Sequence, residues 1–281
     1  MRIMSNNQWL CDQNLPEWEA KGEDCSAEHR EKGFANIYAE LLPDAIGFQE
    51  VSPRMLDRLM RELQAKGLRY AALWGRDTPI LYRPDALELI DSEFGIYPAE
   101  CPGYEGCFNN YDTKSWNIAV FREKKSGKPL IFATTHLWWM IDDREPLYYE
   151  SYQLGSTAAR IYQIGIVMDR IEIYREKYGA PAVLVGDMNC PYHSKPIASA
   201  FANGYVHAND AAQEYAYPYH GYHWCGRNGY DPYIPEPFEQ AIDHILIKGP
   251  LKVLRMDRYI DESYLPLSDH FPAFIDAEPE V

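Results

Sequence analysis

The sequence predicts a layered α/β sandwich, and three observations carry that prediction. Strand-like runs rich in β-branched and aromatic residues recur along the chain, helical stretches lie between some of them, and their order is irregular. The steady βαβα alternation of a doubly wound sheet is absent, which favours packed layers over a Rossmann-type fold. A length of 281 residues could hold two domains, yet no Ser/Gly-rich linker, low-complexity run or solenoid-period repeat marks a seam. A single domain over residues 1–281 is therefore expected. With 46% hydrophobic and 14% aromatic residues the chain can bury a large core.

Taken in order, strands are expected at RIMS near the start, at AIGFQ before Glu50, and at TPILYR (78–83). Further strands follow at NIAVF (117–121), PLIFATTHL (129–137), PAVLVGDM (181–188), AIDHILI (241–247) and FPAFID (271–276). Ser52-Pro53 opens MLDRLMRELQAKG as a helix, with Pro at the first helical position and Gly67 as the stop. A longer helix, about 155–178, sets Ala158, Ile161, Met168 and Ile171 on one face. EKKSGK (123–128) reads as a hairpin turn with a solvated lysine tip.

The formal charge is -15, from 27 Lys plus Arg against 42 Asp plus Glu. No basic block interrupts it, so a long nucleic acid is not expected as a partner, because phosphate backbones are held mainly by clustered Lys and Arg. The carboxylate excess suits a divalent cation, although solubility alone accounts for such a balance. Six cysteines show no CxxC pair and give no support to a zinc framework; Cys101 and Cys107 could bridge a small loop. The chain opens directly on strand-like MRIMS, and no apolar run approaches the ~18 residues that span a membrane. A cytoplasmic protein with reduced thiols and no membrane insertion is the expectation.

Polar groups collect at the strand ends: Asn7 after RIMS, Glu50 after GFQ, His136 closing TTH, Asp187 and Asn189 in GDMN, Asp243 in IDHI, and Asp269 with His270 ahead of FPAFID. Each alone is a weak signal, and a strand-terminal Asp or Asn is more often a turn former than a catalyst. Together they combine hard oxygen donors, which suit Mg²⁺ or Mn²⁺, with two histidines that titrate near neutral pH. Such a set could polarise a phosphoryl oxygen, orient a water and neutralise charge on a leaving oxygen.

The motifs MSNNQW, GFQE, TTHL, GDMN, IDHI and SDHFP, in that order from the first residues to the last dozen, resemble the endonuclease/exonuclease/phosphatase superfamily. The resemblance implies a four-layer α/β/β/α sandwich, with two mainly antiparallel sheets face to face and an active site at one rim. It also implies a metal site at Glu50 with Asn7 and Asp269. Asp187 would orient or deprotonate the attacking water, and Asn189 would bind the phosphoryl group. His270 held by Asp243 would be the acid/base pair, and His136 a second histidine at the phosphate or leaving oxygen. Position 6 is Asn where the family commonly has an aromatic; the strand register points Asn7 toward the metal. ILYR (80–83) is similar to the family's substrate-side strand, which places Tyr82 among the expected substrate contacts.

The family does not fix the substrate. Arginines that surround the site in many of its nucleases are sparse here, the nearest basic candidates being Arg54, Arg83, Lys114 and Arg160. Lys114 is expected to touch phosphate. Trp138 and Trp139 follow His136 directly, and the Tyr-, Pro- and Gly-rich segment 215–239 runs into IDHI, so Trp138, Trp139, His223 and Trp224 are expected to face substrate. His220 and His223 could also ligate a second metal. Acidic charge, an aromatic pocket and the missing basic track point to a small phosphorylated substrate: a monoester or diester on a sugar, inositol or lipid-head-group scaffold. The alternatives are a nuclease, which needs a basic rim, and a non-catalytic or glycan-binding module of the same fold.

Overall fold

The structure, a computed structural model, describes residues 1–9, 19, 20, 22, 24, 26–142, 152–215, 241–264 and 266–280. In chain order the elements are β1 (Arg2–Asn7), α1 (Ala27–Leu41), β2 (Ala45–Gln49), α2 (Pro53–Ala65), β3 (Ala71–Leu73), β4 (Ile80–Tyr82) and β5 (Leu87–Ile96). They continue with β6 (Ser115–Glu123), β7 (Pro129–His136), α3 (Ser156–Tyr178), β8 (Ala182–Asp187), α4 (Lys195–Ala202), β9 (Val206–His207) and α5 (Ala208–Ala211). Four strands close the chain: β10 (Glu214–Tyr215), β11 (Asp243–Lys248), β12 (Leu251–Arg258) and β13 (Ala273–Pro279).

Two sheets form, ordered β10-β12-β13-β1-β2-β4-β3 and β5-β6-β7-β8-β11-β9. They pack face to face through Ile3, Ala45, Phe121, Phe132, Val185 and Ile275, all buried. The outer face of the first sheet is covered by α1 and α2 through Ile46, Phe48, Phe34 and Leu59. That of the second is covered by α3 and α4 through Ile118, Leu184, Ile164 and Ile197. Strands in the middle of such a stack are buried on both faces, which is why AIGFQ reads as an unbroken apolar run: Ala45 faces the other sheet while Ile46 and Phe48 face helices. At Gly47 a Cβ would lie 2.6 Å from Thr134 Cβ and 2.7 Å from Val185 Cγ2, so glycine sets the close approach of the two sheets there.

Local signals explain most boundaries. Ser52 Oγ accepts from Met55 N at 3.1 Å, Pro53 enters the first turn of α2, and Gly67 follows the helix with φ +78°. The 123–128 turn closes as expected, with Gly127 N donating to Glu123 O at 2.7 Å. The long helix differs from its predicted face. Its buried line runs through Ala159, Ile164, Val167, Met168, Ile171 and Tyr174, and it also carries buried Arg160 and Gln163; Ala158 and Ile161 are only half-buried. Two buried polar residues break the apolar periodicity on which the predicted face rests. Cys101 and Cys107 are free thiols and form no bridge. Among the described residues, no helix is long and apolar enough to cross a membrane.

Candidate active site

The sheet registers bring the polar strand ends to one rim. β1 and β2 run parallel with Asn7 beside Gln49, and β7 and β8 run parallel with His136 beside Asp187. β11 is antiparallel to β8 and opens with Asp243 opposite Asp187. β13 is antiparallel to β1, so Asp269 and His270, just ahead of it, meet the end of β1.

Among the described residues, backbone in the left-handed region turns the chain at strand ends on this rim at Trp9 (φ 38°), Glu50 (φ 59°) and Asn189 (φ 48°). Such conformations are costly for non-glycine residues and persist where the surroundings hold them. At Trp9 and Asn189 side chains of the rim hold the turn. Asn7 Oδ1 accepts from Trp9 N at 2.9 Å, and Asp187 Oδ1 accepts from Asn189 N at 2.8 Å. Gly186 ahead of Asp187 has φ +148°, and a Cβ there would sit 1.9 Å from Thr135 O, so only glycine lets β8 deliver its carboxylate this close to β7.

The resulting cluster is dense. Asn7 Nδ2 donates to Asp187 Oδ2 at 3.0 Å and to Glu50 Oε1 at 3.3 Å, bridging two carboxylates. His136 Nε2 lies 3.6 Å from Asp187 Oδ2, 3.9 Å from Glu50 Oε1 and 2.6 Å from Lys114 Nζ. His270 Nδ1 is 2.7 Å from Asp243 Oδ2, which leaves Nε2 4.0 Å from Asp187 Oδ2 and 3.7 Å from Asp269 Oδ1. Ser268 Oγ accepts from His270 N at 3.1 Å and donates to Asn7 O at 2.8 Å, tying the two segments together. Asn6, by contrast, turns to the helix layer, where Nδ2 donates to Tyr264 Oη at 2.6 Å; the strand alternation leaves Asn7 to the rim.

Burial and mutual charge separate the titrations. Burial pushes Asp187 up to about 6; His270 and Lys114 oppose that rise and Asp243 adds to it. His136 is held well below its usual range by burial and then by the Lys114 and His270 cations. For His270 burial acts in the lowering direction, but Asp243, Asp269 and Asp187 outweigh it and hold the ring protonated well above its usual range. Burial also lowers Lys114, against the pull of Glu50, Asp187 and Asp77. The rim thus keeps one histidine neutral and one cationic a few ångströms from a carboxylate, and environments that split paired groups this way assign acid and base roles.

A cavity of about 710 Å³ opens onto these groups, lined also by Trp9, Ser52, Asp77, Thr113, Trp139 and Asn189. Two carboxylates and a histidine, Glu50, Asp187 and His136, offer ligand atoms within 4.8 Å of one another, as do Asp187, Asp243 and His270. Such a mixed but mainly oxygen set fits a hard divalent cation. Asp269 lines the same cavity yet belongs to neither group, so Glu50 is clustered with Asp187 rather than with Asp269.

Two expected contacts lie elsewhere. Tyr82 pairs with Ala45 at the start of β2, at the end remote from Glu50, and its ring packs 4.9 Å from that of Phe121 between the sheets. Trp138 is 1% exposed and packs with Phe108 and Ala159, whereas Trp139 is 41% exposed and lines the cavity. The two rings are neighbours, with centroids 6.1 Å apart, but Trp138 is the inner one and only Trp139 reaches the cavity. Arg83, one of the basic candidates, is paired with Asp44 and Asp85 at the far rim. His223 and Trp224, like His220, fall outside the described residues.

Several residues that build the rim carry no sequence signal. Arg30, fully buried on α1, donates to Leu267 O at 2.8 Å, to Trp9 O at 2.7 Å and to Gln8 O, clamping the segment after β1 to the one before His270. A buried arginine within a polar-looking helix is indistinguishable by pattern from a solvated one. Asp77 and Thr113 reach the cavity from loops whose ends no periodicity marks.

Residues 18–270 match the profile of the Endonuclease/Exonuclease/phosphatase family. No curated protein matches the chain by sequence. Among solved structures the chain is similar to a mannosyl-6-phosphatase of Bacteroides thetaiotaomicron, with TM-score 0.75, 18% identity and 99% of each chain covered. It is also similar to the human Nocturnin catalytic domain with bound sulfate, with TM-score 0.69 and 15% identity over 100% of this chain and 94% of that one. D. rerio TDP2 complexed with a single-strand DNA product gives TM-score 0.65 and 17% identity over 99% and 98% of the two chains. At these identities the likeness is one of fold, and the shared fold is the α/β sandwich described above.

Proposed function

Because the chain belongs to the endonuclease/exonuclease/phosphatase family, we propose that its rim cavity hydrolyses a phosphoester carried on a small sugar, inositol or lipid-head-group scaffold, with Mg²⁺ or Mn²⁺ as cofactor. The observation that carries this reading is the convergence of Glu50, His136, Asp187 and His270 on one cavity, with Asp243 behind His270 at 2.7 Å and Asp187 between the two histidines.

A divalent cation would be held by Glu50, with Asn7 and Asp269 as the remaining candidate ligands, and would polarise a phosphoryl oxygen. The chain's own residues do the rest. Asp187 orients the attacking water and takes its proton, a role that a carboxyl group raised toward neutrality fills well. His270, kept cationic and oriented by Asp243, donates toward the developing negative charge from Nε2. His136 stays neutral and, with Lys114 Nζ at 2.6 Å, forms a second contact for phosphate or the leaving oxygen. Asn189 lies on the cavity wall, where it is available to the phosphoryl group, although its Nδ2 donates to Leu137 O at 3.0 Å.

A small substrate is supported by the cavity's balance of charge: Glu50, Asp77, Asp187 and Asp269 stand against Lys114 and the histidines, a poor wall for a polyanion. A fold shared with a mannosyl-6-phosphatase agrees with that reading. The test is hydrolysis of 4-nitrophenyl phosphate and bis(4-nitrophenyl) phosphate in Mg²⁺, Mn²⁺ or EDTA, by wild type and His270→Ala. Turnover is expected only with metal and only in wild type. Equal turnover in EDTA, or by His270→Ala, would sink the assignment, and tight salt-sensitive retention on single-stranded DNA would move it to a nuclease.

A further inference from the structure

The backbone on both sides of Trp139, an exposed side chain at the cavity mouth, is held by a dense set of hydrogen bonds. The carbonyls of Trp138 and Met140, which bracket it, both accept from Arg160 Nη1, at 3.1 and 2.6 Å. Trp138 N donates to Gln163 Oε1 at 2.8 Å, and Asp142 Oδ2 accepts from Thr157 N at 2.8 Å. Thr157, Arg160 and Gln163 recur at intervals of three on α3, so one helical face grips every other residue of the segment. From the opposite side Asn189 Nδ2 donates to Leu137 O at 3.0 Å, and the Trp138 ring lies 6.1 Å from that of Trp139.

Arg160 is only 5% exposed, and its hydrogen bonds among the described residues go to neutral oxygens rather than to a carboxylate. Burying a guanidinium this way is expensive, and an aliphatic residue would pack the same space at less cost. What the guanidinium adds is a fixed backbone on both sides of one indole.

We propose that Trp139 is a rigid stacking platform for the ring of a sugar phosphate, and that Arg160 is its positioning residue. This rests on the hydrolase reading for the fate of the phosphate but not for the ring contact itself. An indole face takes the apolar C–H face of a pyranose while the phosphate reaches Lys114 and His136 deeper in the same cavity. Ser52, Asp77 and Thr113 on the wall supply hydroxyl and carboxylate partners for ring hydroxyls. A nucleobase could stack on the same indole but would make less use of these groups, so the sugar is the assigned occupant and a nucleoside monophosphate the competing outcome.

The experiment is saturation-transfer NMR on the full chain in EDTA, with a hexose 6-phosphate and with adenosine 5′-monophosphate as probes, followed by kinetics with Mg²⁺. Hexose ring protons are expected to receive saturation in wild type and to lose it in Trp139→Ala. In Trp139→Ala the loss of hexose-phosphate turnover should fall on KM, about tenfold, more than on kcat. Arg160→Lys, which retains charge but not the fork that reaches both carbonyls, should fold and reproduce part of the KM increase without touching substrate; Arg160→Met should produce more of it. Undiminished ring saturation in Trp139→Ala overturns the platform, and a folded Arg160→Lys indistinguishable from wild type overturns the positioning role. Stronger saturation of adenine than of hexose protons overturns the sugar assignment. Ring contact without hydrolysis of any phosphoester leaves the platform standing and defeats the hydrolase reading instead.

Discussion

The two rims of the sandwich hold cavities of nearly equal size and opposite character. The one opposite the candidate site measures about 670 Å³ and is lined by Asp44, Asp85, Glu123, Lys124, Lys125 and Lys128. Its lysines and Asp85 lie at or near the surface, and Arg83 meets Asp44 at 3.3 Å and Asp85 at 2.6 Å, holding the Asp85 carboxyl below its usual range. At the candidate site, with about 710 Å³, Asp187, Asp243, His136 and Lys114 are all nearly inaccessible, and His136 and His270 are driven in opposite directions. Volume does not distinguish the two rims. What does is charge taken out of water and kept there by neighbours that only partly compensate it, an arrangement that costs stability and persists where chemistry needs it.

The largest effect that would sharpen this contrast comes from Asp243→Asn. It keeps the shape of the His270 contact but removes the charge that holds the ring protonated, and kcat should fall about 10²–10⁴-fold with KM changed far less. A drop below threefold would mean that His270 needs no partner.

The pH dependence should follow. Asp187 acts ionised, so kcat/KM rises with pH through an acid limb at or below about 6, a bound cation lowering it further. An acid limb above 7 would place the titrating base elsewhere. Stability should move the other way. His270 has its folded value raised, so its contribution is fully present below its ordinary value and is lost as pH rises through the raised one. Thermal unfolding in EDTA should therefore show Tm declining on the alkaline side, less so in His270→Ala.

The smallest effects belong to the far rim. Arg83→Ala, breaking half-exposed pairs, should cost about 0.2–1 kcal/mol and leave turnover alone. Loss of activity there would erase the distinction between the two cavities.

Much of the site was legible because strand ends are marked by the residues themselves. A polar group after an apolar run announces the rim, and the parallel or antiparallel sense of neighbouring strands then decides whether two such groups meet, as His136 and Asp187 do. What stayed hidden shares one cause: a polar residue buried by tertiary contacts carries no pattern. Arg30 on α1 and Gln163 on α3 look like solvated helix positions, and Arg160 is legible only as a basic group near the site, yet each clamps a segment of the rim. β5 and β12 escape for the related reason that charges alternate with their apolar residues and a bulge interrupts each register. Trp138 departs from its expected role because it fills a buried cluster with Phe108 and Ala159 and leaves the mouth to Trp139, and the sequence does not show which of two adjacent indoles is buried.

The most direct test compares Asp187→Asn with wild type in turnover of 4-nitrophenyl phosphate and its diester, and in thermal unfolding. Ionised Asp187 sits buried with its carboxyl raised to about 6, so its stabilising contribution is fully present only below its ordinary value and is lost as pH rises through about 6. Removing that charge at neutral pH should abolish turnover while Tm holds or rises by about 2–4 °C. A variant that stays active, or one that unfolds, contradicts the account of a carboxylate kept at the rim for catalysis.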